Sequence, residues 1–446
     1  MKDKLYYKRA LQMAWPSVLE SFFLAMAALI DTMMVATLGS YAIASVGLTN
    51  QPKFIAYAIF FAINTAVSAL IARRKGQNDR KGANRVFITA ISISIILCIL
   101  ITIVTIYFSN DLMIFAGSNS DTHIPAKTYF DIIIAGMFFN IIAMCINAAQ
   151  RGTGNTKIAF STNLTSSIIN VIFNFLLING NFGFPKLGIK GAAYATVLGS
   201  LVACFMSISS IFKIISFVNV KYIIKHKIKP KIDAAKSIFN LSISLFIENI
   251  FMRIGFLATA ITAAKLGTAP FAAHNAAMGL LSVSFSFGDG MQVAAVALSG
   301  NALGKEDKNL AFKFGHICQR IGFAISIILS IILFIFSREI MMNFFKEENI
   351  IQMGIMTIRF IMIILILQIS QIIYGGCLRA GGDVKYTLIT SIISVTIIRT
   401  GATILFTSVL DLGLMGIWIG ITFDQLSRYI LLRHRFKQGK WVDIKI

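Results

Sequence analysis

Twelve apolar runs of about 20 residues or more follow one another along this chain, and that succession restricts the fold more than any other feature. They occupy residues 14–39, 42–71, 86–108, 126–149, 158–178, 187–212, 237–263, 270–300, 312–336, 350–376, 386–407 and 412–432. In hydrocarbon every backbone N–H and C=O must find its partner inside the protein, so a single run of this length crosses a bilayer as an α-helix. With 57% hydrophobic and 13% charged residues, the composition lies well outside that of soluble globular proteins. The expectation is an all-α polytopic membrane protein with twelve transmembrane helices. The first run is too long for the core of a cleaved leader and contains two acids, so it is read as a retained helix.

A formal net charge of +22 would suit a nucleic-acid partner, but the placement of the charge argues for topology instead. Most of the 41 Lys and Arg residues lie in the two tails and the even-numbered connections. The odd-numbered connections hold only Lys127, Lys186, Lys190, Lys265, Arg338 and Lys346. Such a bias orients a membrane protein with its basic segments in the cytoplasm. A multi-pass protein of the inner (plasma) membrane with both termini cytoplasmic is therefore expected, with the lipid bilayer and not nucleic acid as its surroundings. The five cysteines stand singly in or beside apolar runs, with no CxxC and no clustered His, which points to packing and not to metal or disulfides.

The chain also repeats itself. The segments ARRKGQNDRKGANR (72–85) and GNALGKEDKNLAFK (300–313) align Gly76 with Gly304, an offset of 228 residues. The same offset superposes Glu20 on Glu248, Leu38-Gly39 on Leu266-Gly267, the loop RGTGNTK on RAGGDVK, and Gly188 on Gly416. One constant offset over most of a chain marks a duplication. Six helices return each copy to its starting side, so the halves are expected as parallel six-helix lobes related by a pseudo-two-fold axis along the membrane normal, with a cavity where they meet. Residues 1–217 form the first lobe, 218–236 a basic cytoplasmic linker and 237–446 the second lobe.

Polar residues inside the apolar runs are the candidates for function, because ionisable groups at membrane depth mark ion or substrate paths. Glu20 and Asp31 lie eleven residues apart, close to three helical turns, and so share one face about 16 Å apart along the axis; the alternative is that Glu20 lies near the headgroups and Asp31 near the opposite interface, both simply solvated. In the fifth helix Asn163, Asn170 and Asn174 form another one-faced stripe with Ser167. Their amides either join helices or supply neutral oxygen ligands beside a carboxylate for a small hard cation such as Na⁺. Glu248 in the seventh helix is five residues from Arg253, a spacing that makes no facing pair, which leaves it available to a proton or cation. Asp289 in the eighth helix is read either as a substrate contact or as the ion-pair partner of Arg253, Arg359 or Arg399. His274 and His316 are single and near helix ends, and are read as packing or solvated residues.

Several classes are disfavoured. Neither glycine-rich loop has P-loop spacing, and GNALGKE has three residues between its glycines where a P-loop has four, with Glu in place of Ser or Thr. Without a nucleotide site or cofactor, any transport must draw on an ion gradient or a partner subunit. No HExxH or paired-acid constellation suggests an enzyme.

The run Asp31-Thr-Met-Met-Val with Leu38-Gly39, the run LGIKGAAYAT (187–196) and the two Arg-Gly loops together resemble the multidrug and toxic compound extrusion (MATE) transporters over essentially the whole chain. That resemblance implies a secondary antiporter exporting amphipathic, often cationic, organic compounds in exchange for Na⁺ or H⁺ by alternating access, and here a monomer is expected. It implies an ion-coupling site, with a bound Na⁺ as one occupant, at Asp31, Asn170, Asn174 and Thr196. Some members carry an acid where this chain has Asn174. Others use a Glu in the seventh helix with an Asp in the tenth; Glu248 matches the first, but the tenth helix has no acid. Glu20 and Asp289 are the candidate substrate contacts, and the 37 Phe and 18 Met residues suit a promiscuous apolar pocket. The competing expectation is a flippase for a lipid-linked precursor. Such a protein needs basic residues for polyanionic headgroups, and Lys53, Arg253, Arg359 and Arg399 stand against Glu20, Asp31, Glu248 and Asp289.

Overall fold

The computed structural model describes residues 2–213 and 216–444, and all twelve expected runs are helical. In chain order they are α1 (Lys2–Ala36), α2 (Ser40–Gly76), α3 (Arg80–Tyr107), α4 (His123–Ala135 and Met137–Gly152), α5 (Thr156–Asn179) and α6 (Ile189–Phe212). The second series is α7 (Ile232–Lys265), α8 (Thr268–Gly304), α9 (Lys308–Ile335), α10 (Glu348–Gly381), α11 (Val384–Val409) and α12 (Gly413–Gln438). No strand occurs among the described residues. Ten of these helices are long and apolar enough to cross a membrane, and α4, bent by 46° at Gly136, makes an eleventh. The twelfth differs from expectation in composition: α12 has the length, 26 residues, but Asp424, Arg428 and a basic last turn dilute its apolar character.

The duplication is visible in the backbone. α8 and α9 begin and end at residues displaced by 228 from the limits of α2 and α3. Gly39 and Gly267, which precede α2 and α8, take the same conformation, with φ of 110° and 100° and ψ of 171° and 175°. That region is open to glycine and closed to residues with a Cβ, so both sharp turns depend on it. Asp79 Oδ1 accepts the Gly82 N–H at 2.7 Å and caps α3, while Asp307 Oδ1 accepts the Leu310 N–H at 2.8 Å and caps α9. The outward faces repeat too: Ile99, Leu100, Ile103 and Val104 on α3 and Ile327, Ile328, Ile331 and Ile332 on α9 are all exposed, as side chains that face lipid should be.

The chain divides into two compact units, Leu19–Ser242 and Met1–Val18 with Ile243–Ile446. Both divisions fall within long helices, α1 and α7, and not in the segment 218–236. That segment holds a short helix, Val220–Lys225, capped by Asn219. Arg80 and Asn84 at the start of α3 anchor it by donating to the carbonyl of Phe217, and the Arg80 guanidinium lies 4.4 Å from the Tyr222 ring centre. The core of the first unit gathers Phe60, Phe130, Met137 and Ile141, with Tyr129, Ile133 and Ile178 in a second cluster. The second unit packs Ala10 and Ala14 of α1 with Ile361, Ile369, Trp418 and Phe436. His274 lies against Trp418 and His316 against Phe436, and all five cysteines are free and buried.

Candidate ion and substrate site

In the first unit α1 and α5 meet through two polar rungs. Asn163 Nδ2 donates to Glu20 Oε1 at 2.5 Å, and Asn174 Nδ2 donates to Asp31 Oδ1 at 2.5 Å. Both rungs join residues 143 apart in sequence, because each helix advances eleven residues between them. The one-faced stripes of the two helices therefore face each other.

The two rungs differ in chemistry. Glu20 is 4% exposed, and the Arg151 guanidinium at the end of α4 donates to the same Oε1 as Asn163. Asp31 is half-buried and heads a chain of neutral groups. Asn174 Nδ2 also donates to Asn170 Oδ1 at 3.3 Å, Asn170 Nδ2 to Thr196 Oγ1 at 3.1 Å, and Thr196 Oγ1 to the Ala192 carbonyl at 3.0 Å. The buried Asn174 Oδ1 has no partner within the protein. One carboxylate, an unpartnered amide oxygen and a hydroxyl suit a small hard cation. They also suit a proton on Asp31. Lys53 on α2 is close enough to interact with Asp31 electrostatically. No group of three or more His, Cys, Asp or Glu side chains able to hold a metal occurs among the described residues, so any cation here depends on these neutral oxygens.

The second unit reproduces the Glu20 rung. Glu248, 3% exposed, accepts from Arg379 Nη2 at 2.7 Å, Ser391 Oγ at 2.9 Å and Thr387 Oγ1 at 3.1 Å. Arg379 and Ser391 stand 228 residues after Arg151 and Asn163. Both glutamates thus tie together three helices of their unit, and neither is an unpaired acid. Asp289 is different: it lies in the middle of α8 with an accessible side chain, near enough to Arg379 to interact with it electrostatically. It is not the partner of Arg399, which turns elsewhere.

Arg399 pairs with Asp424, a contact that no local spacing in the sequence signals. Arg399 Nη1 lies 3.4 Å from Asp424 Oδ2, and its Nε donates to Thr259 Oγ1 at 2.9 Å. Arg428 holds both Asp424 oxygens, at 2.8 and 2.9 Å. Arg399, Asp424 and Arg428 are all at most 5% exposed. The 228-residue offset was the available pointer, since it carries Asp31 onto Thr259 and Thr196 onto Asp424.

The MatE family model matches the chain twice, over residues 16–176 and 244–405. The chain belongs to the MatE family. The two matches begin 228 residues apart, in step with the repeat. Among MatE relatives, a probable multidrug resistance protein NorM of Thermotoga maritima is 26% identical over 97% of this chain and 93% of its own length. The uncharacterized transporter YisQ of Bacillus subtilis is 24% identical over 97% of this chain and 94% of its own length. The fold matches that of a multidrug resistance MATE transporter solved in an outward-facing conformation, with a TM-score of 0.90, 22% identity and coverage of 98% and 97% of the two chains. As a MatE protein this chain is an integral membrane transporter and not an enzyme.

Proposed function

We propose that this transporter is a secondary multidrug exporter, which expels amphipathic organic cations in exchange for Na⁺ or H⁺ bound at Asp31. The observation that carries the reading is the Asp31–Asn174–Asn170–Thr196 chain, a half-buried carboxylate continued by neutral oxygens across three helices. Several relatives named as probable multidrug resistance proteins support the export of drugs. Charge gives limited support to a cationic cargo: Asp289 is exposed and Arg151, Arg379, Arg399 and Arg428 are engaged with carboxylates inside the units, although Arg253 and Arg359 are exposed as well.

Coupling requires ion and cargo to favour different states of the transporter. Asp31 joins α1 to α5 through Asn174 directly. A cation or proton on Asp31 competes for the oxygen that accepts from Asn174, so loading and release change how α1 is held. Lys53 offers the carboxylate a counter-charge after release. The test is efflux of a fluorescent organic cation from proteoliposomes under a Na⁺ gradient or a pH gradient, imposed separately. One gradient is expected to drive export by the wild type and neither by Asp31→Asn. Export by Asp31→Asn at the wild-type rate overturns the site, and movement of a lipid-linked precursor without any gradient-driven cation efflux replaces the function with that of a flippase.

A further inference from the structure

The two units place different chemistry at corresponding points. In the first, α1, α5 and α6 bring together Asp31, Asn174 with Asn170, and Thr196. In the second, the corresponding helices α7, α11 and α12 bring together Thr259, Arg399 and Asp424. Asp31 corresponds to Thr259 and Thr196 to Asp424 by the repeat, so carboxylate and hydroxyl have exchanged helices. Arg399 stands one residue after Ile398 and three before Ala402, the counterparts of Asn170 and Asn174. Where the first unit presents amide oxygens between carboxylate and hydroxyl, the second presents a guanidinium.

Its surroundings are those of a bound cation. Thr259 and Asp424 accept from it on two sides, and the Phe256 ring centre lies 4.6 Å from the guanidinium carbon. α11 widens into π-type turns over Ile392–Arg399 and again over Leu405–Val409, and such turns, rare in helices, are frequent at functional sites. Neutralising Asp424 does not require Arg399, because Arg428 already holds both of its oxygens. The Arg399–Asp424–Arg428 trio therefore has an excess positive charge, which repels any incoming cation.

We infer that Arg399 is a resident cation: its guanidinium fills, in the second unit, the counterpart of the Asp31 ion site, so that the transporter exchanges a coupling cation in its first unit alone. The inference rests on the reading of Asp31 as the coupling site. It also defines a built pocket for guanidinium-type cations, formed by Thr259, Asp424 and Phe256, that the native side chain occupies.

Thermal melting of the purified full chain tests the pocket without transport and without any Asp31 variant. Arg399→Ala is expected to melt several degrees below the wild type and to regain part of that loss in millimolar methylguanidinium chloride, but not in equal sodium chloride. The wild type should not respond. Arg399→Lys keeps a tethered cation and Arg399→Met keeps the bulk without charge; the Lys variant is expected to melt well above the Met variant. Equal melting of those two, or no methylguanidinium response in a folded Arg399→Ala, overturns the resident cation even if the Ala protein alone proves too unstable to purify. The number of coupling ions per cargo, read from the gradient at which net efflux stops, is expected to be the same in wild type and Arg399→Lys. A ratio that falls by one in Asp424→Asn, with Asp31→Asn still uncoupled, overturns the inference while leaving the Asp31 site intact. Coupling that survives in Asp31→Asn overturns the Asp31 reading instead, whatever the melting shows.

Discussion

The two units share a backbone down to the capping aspartates and the turn glycines, yet they handle buried charge in two ways. One rung is kept in both: Glu20 with Arg151 and Asn163, Glu248 with Arg379, Thr387 and Ser391. The other rung diverges, with a half-buried carboxylate and neutral oxygens in the first unit and a closed cluster of two arginines and one aspartate in the second. Duplication supplies the same scaffold twice, and a scaffold does not specify the ion chemistry placed on it. At the diverging rung the carboxylate of the second unit is paired with two arginines, whereas that of the first accepts from an amide.

The largest expected effect separates the rungs. Asp31→Asn should abolish gradient-driven efflux while leaving the protein folded, whereas Thr259→Asn at the corresponding point of the second unit should leave coupling intact; both are read in the same proteoliposome assay. Next come the retained rungs. Glu248→Gln and Glu20→Gln each leave an arginine without its counter-charge, which for a buried pair costs about 3–5 kcal/mol. Glu248 has three partners and Glu20 two, so Glu248→Gln should lower the melting temperature more. An equal loss would mean that the additional partner, the hydroxyl of Thr387, adds nothing.

A smaller effect should follow at Lys53. Lys53→Met removes a positive charge that acts on Asp31 and should raise the apparent affinity for the coupling cation several-fold, seen as a lower half-saturating ion concentration for efflux. Its counterpart Leu281 is already apolar. The smallest effects are expected where the units agree most closely: Asp79→Ala and Asp307→Ala should each cost about 1 kcal/mol, the usual worth of a helix cap. A marked difference between them, measured by chemical denaturation, would show that the shared backbone is not equally supported in the two units.

Much of this was legible in one dimension. Apolar runs long enough to span a bilayer leave the backbone no alternative to helix, so the elements follow from hydropathy alone. The constant offset announced two copies of one unit, and the eleven-residue spacing of Glu20 and Asp31 placed both on one face of α1. Three-dimensional contacts decided which polar residues are occupied. Arg151 is 131 residues from Glu20, and Arg379 the same distance from Glu248, so no local spacing rule reveals that these acids are paired. Arg253, nearer to Glu248 in sequence, points along another direction of the same helix. Asp424 carries no local signal in a basic and only moderately apolar terminal helix, yet it is the centre of the buried cluster. The physical reason is common to all of these cases. Burying a backbone in lipid is a local demand that each segment meets by itself, whereas satisfying a buried charge is a demand that only another helix can meet.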